Sequence, residues 1–126
     1  MFNVDGTTIS ISRGDTGAVR FRADVLIGGE GGTAYTFGEN DRAIFTIKNG
    51  NGEIVKEKIT PMENNVFTVV FYNADTDALS ENTSYTWDVR YVINPYWENG
   101  RIVDGDQVLT PELPMSMRLL NVVGEI

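Results

Sequence analysis

Hydrophobic and polar residues alternate with a period of two along most of the chain, whereas the 3.6-residue period of a helix is nearly absent. The clearest alternation covers residues 85–93, where Trp87 and Tyr91 belong to an apolar set at every second position. This pattern is typical of a strand that buries one face and exposes the other. The large rings on the apolar face predict that Trp87 packs in the core.

Shorter runs of the same alternation predict six further strands. They cover residues 18–25, 43–48, 54–59, 66–72, 101–109 and 115–119. The third of these carries more charge, which favours an edge strand. It follows Asn49-Gly50-Asn51-Gly52, a sequence typical of a tight hairpin turn. Residues 74–79 predict a single helical turn with Asp75 or Thr76 as its N-terminal cap.

These strands, separated by turn residues every 8–12 positions, predict an antiparallel β-sandwich, although a small barrel would give a similar pattern. Strands of one pattern flank the glycine-rich residues 28–32, which we therefore interpret as a loop within a single domain covering residues 1–126. The predicted core consists of Val19, Phe21, Ala23, Phe45, Ile47, Phe67, Val69, Phe71, Tyr85, Trp87, Val89, Tyr91, Met117 and Leu119.

Composition restricts the function further. The 126 residues include no His and no Cys, which excludes a His general base, a thiol nucleophile and a zinc-finger site. The formal net charge of -8 disfavours nucleic acid and anionic lipid as partners. Neither a basic-then-apolar leader nor an apolar stretch of about 20 residues is visible, so we expect no signal peptide and no membrane partner. We predict a non-enzymatic protein with no cofactor and no bound metal.

Several short motifs are better explained as turns than as sites. Arg13-Gly14-Asp15 matches a cell-adhesion tripeptide, but between two alternating runs a Gly-Asp pair is a natural turn. Residues 28–32 lack the lysine and the following helix of a phosphate-binding loop. Asp75-Thr76-Asp77 and Asp104-Gly105-Asp106 have the spacing of calcium ligands without the rest of a calcium loop, and we interpret both as turn residues.

Tyr96 and Trp97 are the candidate binding residues. They follow Pro95 and lie outside the alternating runs, which predicts a turn or loop. Aromatic rings presented in this way fill pockets on partner proteins or stack on sugars. The competing interpretation is that both rings fold down as a cap on the core, in which case they would be almost fully buried.

A series of segments in chain order resembles a known family. It consists of an opening with Arg13-Gly14-Asp15-Thr16, the alternating strand after it, the turn Asp75-Thr76-Asp77-Ala78-Leu79 and the strand Tyr85-Thr86-Trp87-Asp88-Val89. This order resembles small structural proteins of phages that infect Gram-positive bacteria, similar to the N-terminal domain of the baseplate upper protein. In that group an RGDT opening, a DT-x-x-L turn and a Y-x-Y-D-V strand recur. The resemblance spans residues 7–120, and Asp104-Gly105-Asp106 has no counterpart in it.

The resemblance implies an immunoglobulin-like β-sandwich, for which we expect 7–9 strands. It also implies a structural role in a phage tail or baseplate, with assembly in the bacterial cytoplasm and a final location in the virion. The partners would be other phage structural proteins or further copies of the chain, contacted through edge strands, the last strand or the end carrying Tyr96 and Trp97. The alternative function is carbohydrate binding on the same fold, with these two rings as a stacking platform.

Overall fold

The computed structural model describes residues 2–5, 7–23, 26–27, 33–109 and 119–123. These residues form eleven strands and one short helix, so the protein is all-β. In chain order the elements are β1 (Phe2–Asp5), β2 (Thr8–Ser12), β3 (Gly17–Arg22), β4 (Leu26–Ile27), β5 (Thr33–Ala34), β6 (Arg42–Lys48), β7 (Ile54–Pro61), β8 (Val66–Phe71), α1 (Asn73–Asp77), β9 (Thr83–Glu98), β10 (Arg101–Leu109) and β11 (Leu119–Val123). The count exceeds the expected 7–9 strands because β1, β4 and β5 are too short to show a period.

Strand β9 organises a seven-stranded sheet. The order is β1-β2-β11-β9-β6-β7, and β10 pairs with a further part of β9. All these pairings are antiparallel except that of β2 with β11, which is parallel. Strand β7 lies at an edge, as its charged sequence predicts. The last described strand, β11, lies between β2 and β9. It begins where the predicted strand at residues 115–119 ends, and residues 115–118 lie outside the described residues.

A ladder of β3 and β8 covers the inner face of this sheet. Phe21 of β3 stacks on Phe67 of β8, with ring centroids 4.9 Å apart, and meets Trp87 of β9 at 5.3 Å. Phe71 of β8 meets Phe45 of β6 edge-on at 5.7 Å. The core therefore lies between two layers of strands, where each buried aromatic side chain contributes roughly 1.5–3 kcal/mol of transfer free energy.

The predicted core is confirmed wherever its side chains are described. Every such residue is buried except Phe21, which is partly buried and packs against the cluster. Residues 24–25, 28–32 and 115–118, including Met117, lie outside the described residues, as does the side chain of Leu119. Six further residues belong to the core cluster without being in the predicted list: Ile9, Ile11, Phe37, Ala43, Met62 and Leu79.

The tripeptide Arg13-Gly14-Asp15 is a turn, as predicted. Gly14 has a φ of 87°, and the Asp15 N–H donates to the carbonyl three residues earlier at 3.0 Å. The Arg13 guanidinium donates through Nε and Nη2 to the Asp77 carbonyl at the end of α1, each at 3.2 Å. Thr76 Oγ1 donates to the Asp15 carbonyl at 2.9 Å. The turn and the helix therefore support each other.

The helix begins differently from the prediction. Its N-terminal cap is Tyr72, and neither Asp75 nor Thr76 takes that position. Asp75 is the third helical residue, and its Oδ2 accepts the Tyr72 N–H at 2.8 Å. An acid three positions after the cap satisfies one of the free N–H groups at a helix start, and this spacing is readable in the sequence.

Asp75 also joins α1 to the edge strand β7. Lys58 Nζ lies 2.5 Å from Oδ2, and Lys56 Nζ lies 2.9 Å from Oδ1. Burial by itself raises the pKa of Asp75, but hydrogen bonds from Lys58, the Tyr72 N–H and Lys56 outweigh burial and lower this pKa to about 2. The helix and the sheet are thus linked by a charged, largely buried contact.

Both lysines lie on the core-facing side of β7. Lys58 pairs directly with Phe45, and Lys56 pairs with Ile47. Directly paired residues share a face of the sheet, and both β6 partners are buried in the core. Charged side chains that point inward from an edge strand discourage pairing with another sheet.

Candidate interaction surface

The C-terminal part of β9 continues past the end of β6 as a hairpin with β10. The last pair between β6 and β9 joins Arg42 to Val92, whereas β9 pairs with β10 up to the turn between them. Among the described residues, 93–98 pair with β10 alone. Residues 93–107 form this hairpin arm. Its tip is the turn Asn99-Gly100, with φ values of 52° and 76° that Asn and Gly adopt readily.

The base of the arm has an unusual and well-supported backbone. Asn94 has a left-handed φ of 48° within β9, and its N–H donates to Asp41 Oδ1 at 2.9 Å. Across the hairpin, a Cβ on Gly105 would lie 2.4 Å from Val92 Cγ1 and 3.0 Å from the Ile93 carbonyl oxygen. The two strands approach so closely here that glycine is required.

Asp41 ties the loop before β6 to this base. The residue is 4% exposed, and its Oδ2 accepts the Tyr35 hydroxyl at 2.9 Å and the Gly38 N–H at 2.8 Å. Burial raises the pKa of Tyr35, and the hydrogen bond to Asp41 raises this pKa further. A buried carboxylate with three donors, including the Asn94 N–H, holds the loop and the arm as one unit.

Both candidate residues lie on the arm, in strand β9 rather than in a turn or loop. The alternation becomes unreadable after Ile93 because Asn94 and Pro95 interrupt it, although the strand continues to Glu98. Tyr96 and Trp97 are each 47% exposed, so neither ring caps the core. Because consecutive residues of a strand point to opposite faces, the two rings lie on different faces of the arm.

Trp97 is ordered by a cation–π contact. The Arg42 guanidinium lies over its ring, with Cζ 5.9 Å from the centroid. Arg42 is itself fixed, because Nη1 donates to the carbonyls of Glu39 at 2.7 Å and Asp41 at 2.9 Å. A ring that is ordered before binding loses less conformational entropy when a partner covers it.

Tyr96 is ordered by hydrogen bonding to the neighbouring strand. Its hydroxyl donates to Asp106 Oδ1, while Asn94 Nδ2 donates to Asp106 Oδ2 at 2.9 Å. The hydrogen bond to Asp106 and the charge of Asp106 raise the pKa of Tyr96, and the bonds from Tyr96 and Asn94 lower the pKa of Asp106. Asp104-Gly105-Asp106 is therefore a part of strand β10 that holds the tyrosine, and its interpretation as a turn is wrong.

The edges of the arm are unsuited to strand addition. The pairing shifts between Ile102 and Asp104, which makes Val103 a bulge on β10, and Val103 is 60% exposed. A bulge disrupts the hydrogen-bonding edge of β10, and Pro95 has no N–H to offer on β9. We therefore expect the arm to contact a partner through side chains rather than by extending a sheet.

The acidic pairs that resemble calcium ligands in sequence have other partners. Asp75 binds Lys56 and Lys58, and Asp106 binds Tyr96 and Asn94. In the part of the chain that the structure describes, no three acidic side chains come together as metal ligands. Nor do the described residues include a helix long and apolar enough to cross a membrane.

Comparison with known proteins adds no relative: no family model, no curated protein and no solved structure matches this chain. The function is therefore inferred from the geometry of the arm.

Proposed function

We propose that the protein is a non-enzymatic assembly module that binds another protein through the hairpin arm. The observation that carries this proposal is that Tyr96 and Trp97 are each 47% exposed on a strand pair whose base is fixed by Asp41. Large aromatic rings that are ordered before binding contribute strongly to protein interfaces. Val103, which is 60% exposed, adds to the apolar surface of the arm.

The module belongs, in this proposal, to a phage tail or baseplate and to the immunoglobulin-like sandwiches. Its partners are other phage structural proteins or further copies of the chain. The resemblance described above supports this setting, and the packing of β3 and β8 on the seven-stranded sheet supports a two-layered fold. The two most characteristic segments of the resemblance touch, since Thr76 donates to the Asp15 carbonyl and Arg13 to the Asp77 carbonyl. Their contact gives a physical reason for the two segments to occur together.

Carbohydrate binding is the alternative. A stacking platform presents ring faces side by side, whereas Tyr96 and Trp97 point to opposite faces of the arm. The Arg42 guanidinium also lies 5.9 Å from the centroid of the Trp97 ring. This geometry favours a protein partner, because rings on both faces of a hairpin can fill separate pockets.

The products of the genes that flank the coding sequence are the partners to test. Each is mixed with the wild-type chain and with Trp97→Ala, Tyr96→Ala and Tyr72→Ala, and the affinity of any complex is measured by calorimetry. Tyr72 is the matched control because it is 62% exposed but caps α1 rather than lying on the arm. We expect Trp97→Ala to weaken binding about 30- to 1,000-fold, which corresponds to a side chain worth about 2–4 kcal/mol.

Two results would contradict this proposal. If Tyr72→Ala and Trp97→Ala weaken a complex equally, the arm is not the contact surface. If the chain instead binds a polysaccharide, loses that binding in Trp97→Ala and is encoded among genes of polysaccharide use, the carbohydrate alternative is correct.

A further inference from the structure

A groove on the outer face of the seven-stranded sheet contains hydrogen-bond donors that have no partner among the described residues. It lies between β6, the start of β7 and the middle of β9, and it is lined by Thr46, Lys48, Ile54, Asp88 and Arg90. Thr46 pairs directly with Asp88, and Lys48 with Ile54, so these side chains share one face of the sheet. The groove is separate from the hairpin arm, which begins after the last β6–β9 pair.

Thr46 supplies the first unmatched group. The residue is 1% exposed, and its Oγ1 has no hydrogen-bond partner among the described residues. Buried hydroxyl groups in folded proteins nearly always have a partner, because leaving one unpaired is unfavourable. The Thr46 hydroxyl in the lining of this groove is therefore a donor that a ligand atom could satisfy.

Arg90 supplies the second unmatched donor. Its guanidinium makes no ion pair or side-chain hydrogen bond within the part of the chain that the structure describes. The nearby carboxylate of Asp88 pairs instead with Lys48, at 3.0 Å. Arg90 is half-buried and pairs directly with Ile44, which is 5% exposed, so its stem lies beside buried apolar surface. Arg90 therefore has no ion-pair partner among the described residues: Asp88 pairs with Lys48, and the exposed Glu57, which pairs directly with Thr46 in the sheet, makes no ion pair with Arg90.

We propose that this groove binds the carboxylate of an acidic side chain on a partner polypeptide. A guanidinium presents paired donors that match the two oxygens of a carboxylate, and the Thr46 hydroxyl supplies a further donor. Ile54 lies at the groove and is 56% exposed, so it can pack against the chain that carries the acid. The net charge of -8 repels anions in general, so an acid that binds here is selected by the local donors.

Nuclear magnetic resonance of the full chain tests this proposal. The probes are the blocked tripeptide leucine–glutamate–leucine, the same peptide with glutamine in place of glutamate, and acetate. We expect the glutamate peptide to shift the Thr46 methyl and Arg90 Nε signals saturably, with at least a tenfold weaker response to the glutamine peptide and to acetate. Raising the salt concentration is expected to weaken the binding of the glutamate peptide.

Three variants separate the site from long-range charge effects. Arg90→Gln is expected to weaken binding of the glutamate peptide at least tenfold, whereas Arg20→Gln, which removes the same charge from the exposed face of β3, is expected to leave it within about twofold. Thr46→Val is expected to weaken binding severalfold without lowering Tm, because it removes a hydroxyl that has no hydrogen-bond partner among the described residues.

The following results would overturn the proposal. Equal responses to the glutamate and glutamine peptides would exclude a carboxylate site. Equal effects of Arg90→Gln and Arg20→Gln would show that the peptide responds to the net charge of the protein and not to a site at Arg90. Acetate binding as tight as that of the glutamate peptide would make the ligand a free anion rather than a polypeptide. A lower Tm in Thr46→Val would show that the hydroxyl is already paired. Trp97→Ala leaves this site unchanged, so failure of the arm proposal and failure of this one are distinguishable.

Discussion

Asparagine occupies the left-handed backbone positions of this protein. Among the described residues, every non-glycine residue with a positive φ is an asparagine: Asn64, Asn65, Asn82, Asn94 and Asn99. Its short amide side chain can bond locally, which reduces the cost of a conformation that other L-residues avoid. Asn65 shows this use, because its Oδ1 accepts the Phe37 N–H at 2.7 Å and its Nδ2 donates to the Tyr35 carbonyl at 3.0 Å. Such residues usually mark turns, but Asn94 lies within a strand.

Gly105 is expected to be irreplaceable at the base of the arm. Gly105→Ala should lower the free energy of unfolding by about 1–3 kcal/mol, because the new methyl would lie 2.4 Å from Val92 Cγ1. Gly50→Ala is the matched control, since a Cβ at Gly50 meets nothing within 4 Å. Urea unfolding of the two variants and the wild type measures the difference. Equal stability of the two variants would mean that the arm does not approach this closely in solution.

The pKa of Asp75 makes one part of the stability depend on pH. Folding lowers this pKa from 3.8 to about 2, so the ionised carboxylate contributes stability above the unfolded value. This stability is lost as the pH falls through the folded value, that is, between about pH 5 and pH 2, and it amounts to about 2 kcal/mol. We expect urea unfolding to show this loss in the wild-type chain and a flatter dependence in Asp75→Asn. Asp77→Asn, an exposed acid on the same helix, should keep the wild-type slope. A wild-type slope in Asp75→Asn would contradict the assignment.

At the scale of elements, the edge strand β7 and the hairpin arm carry features that oppose pairing with another sheet. Strand β7 points Lys56 and Lys58 toward the core side, where Asp75 neutralises them. On the arm, Val103 forms a bulge and Pro95 lacks an N–H. At β7 and the arm, these features favour association through side-chain contacts such as those of Tyr96 and Trp97.

Removal of the charges on β7 should convert it into an edge that associates. The triple variant Lys56→Met, Lys58→Met, Asp75→Asn is expected to be at least as stable as Asp75→Asn alone. The single variant leaves two lysines without their carboxylate partner, whereas the triple variant removes all three charges together. Analytical ultracentrifugation should detect association of the triple variant that increases with concentration. The double variant Arg20→Met, Arg22→Met removes two exposed basic residues from β3 and serves as the control. If the control associates as strongly, loss of charge rather than an unprotected edge is responsible.

The sequence identifies elements whose side chains alternate between a buried and an exposed face. Strands β3, β6, β8 and β9 are predictable for this reason, and the hairpin turn at residues 49–52 is predictable from its Asn and Gly content. Phe37, Met62 and Leu79 lie outside the strands, so no period marks them as core.

The arm was only partly predictable. Tyr96 and Trp97 were identifiable as exposed aromatic residues, but the backbone that presents them depends on Asp41 bonding Asn94 across 53 residues of sequence. Local patterns do not contain such long-range contacts. The groove at Thr46 was not predictable from the sequence either, because Thr46 and Arg90 lie on different strands and become neighbours only through the pairing of β6 with β9.

At the scale of the whole molecule, β11 holds the first part of the chain against β9. Asn121 pairs with Ser10 of β2 on one side and with Ser84 of β9 on the other. Asn121→Pro removes a ladder hydrogen bond inside the sheet, so we expect a loss of about 3 kcal/mol or more in stability. Asn3→Pro affects the same neighbour, Ser10, from the edge strand β1 and should cost distinctly less. Thermal unfolding compares the two, and an equal loss would contradict the central position of β11.

The arrangement of β1, β2 and β11 also makes the chain suitable for circular permutation. Phe2 pairs with Ile11, and Ile11 pairs with Val122, so Phe2 and Val122 lie two strand spacings apart, which is about 10 Å. A linker of a few residues covers that distance, and the turn at residues 49–52, where Gly50 and Gly52 have open space around them, is a suitable place for new ends. We expect a circular permutant that starts in this turn to retain every described strand pairing, although its sequence begins at β7 and finishes at β6.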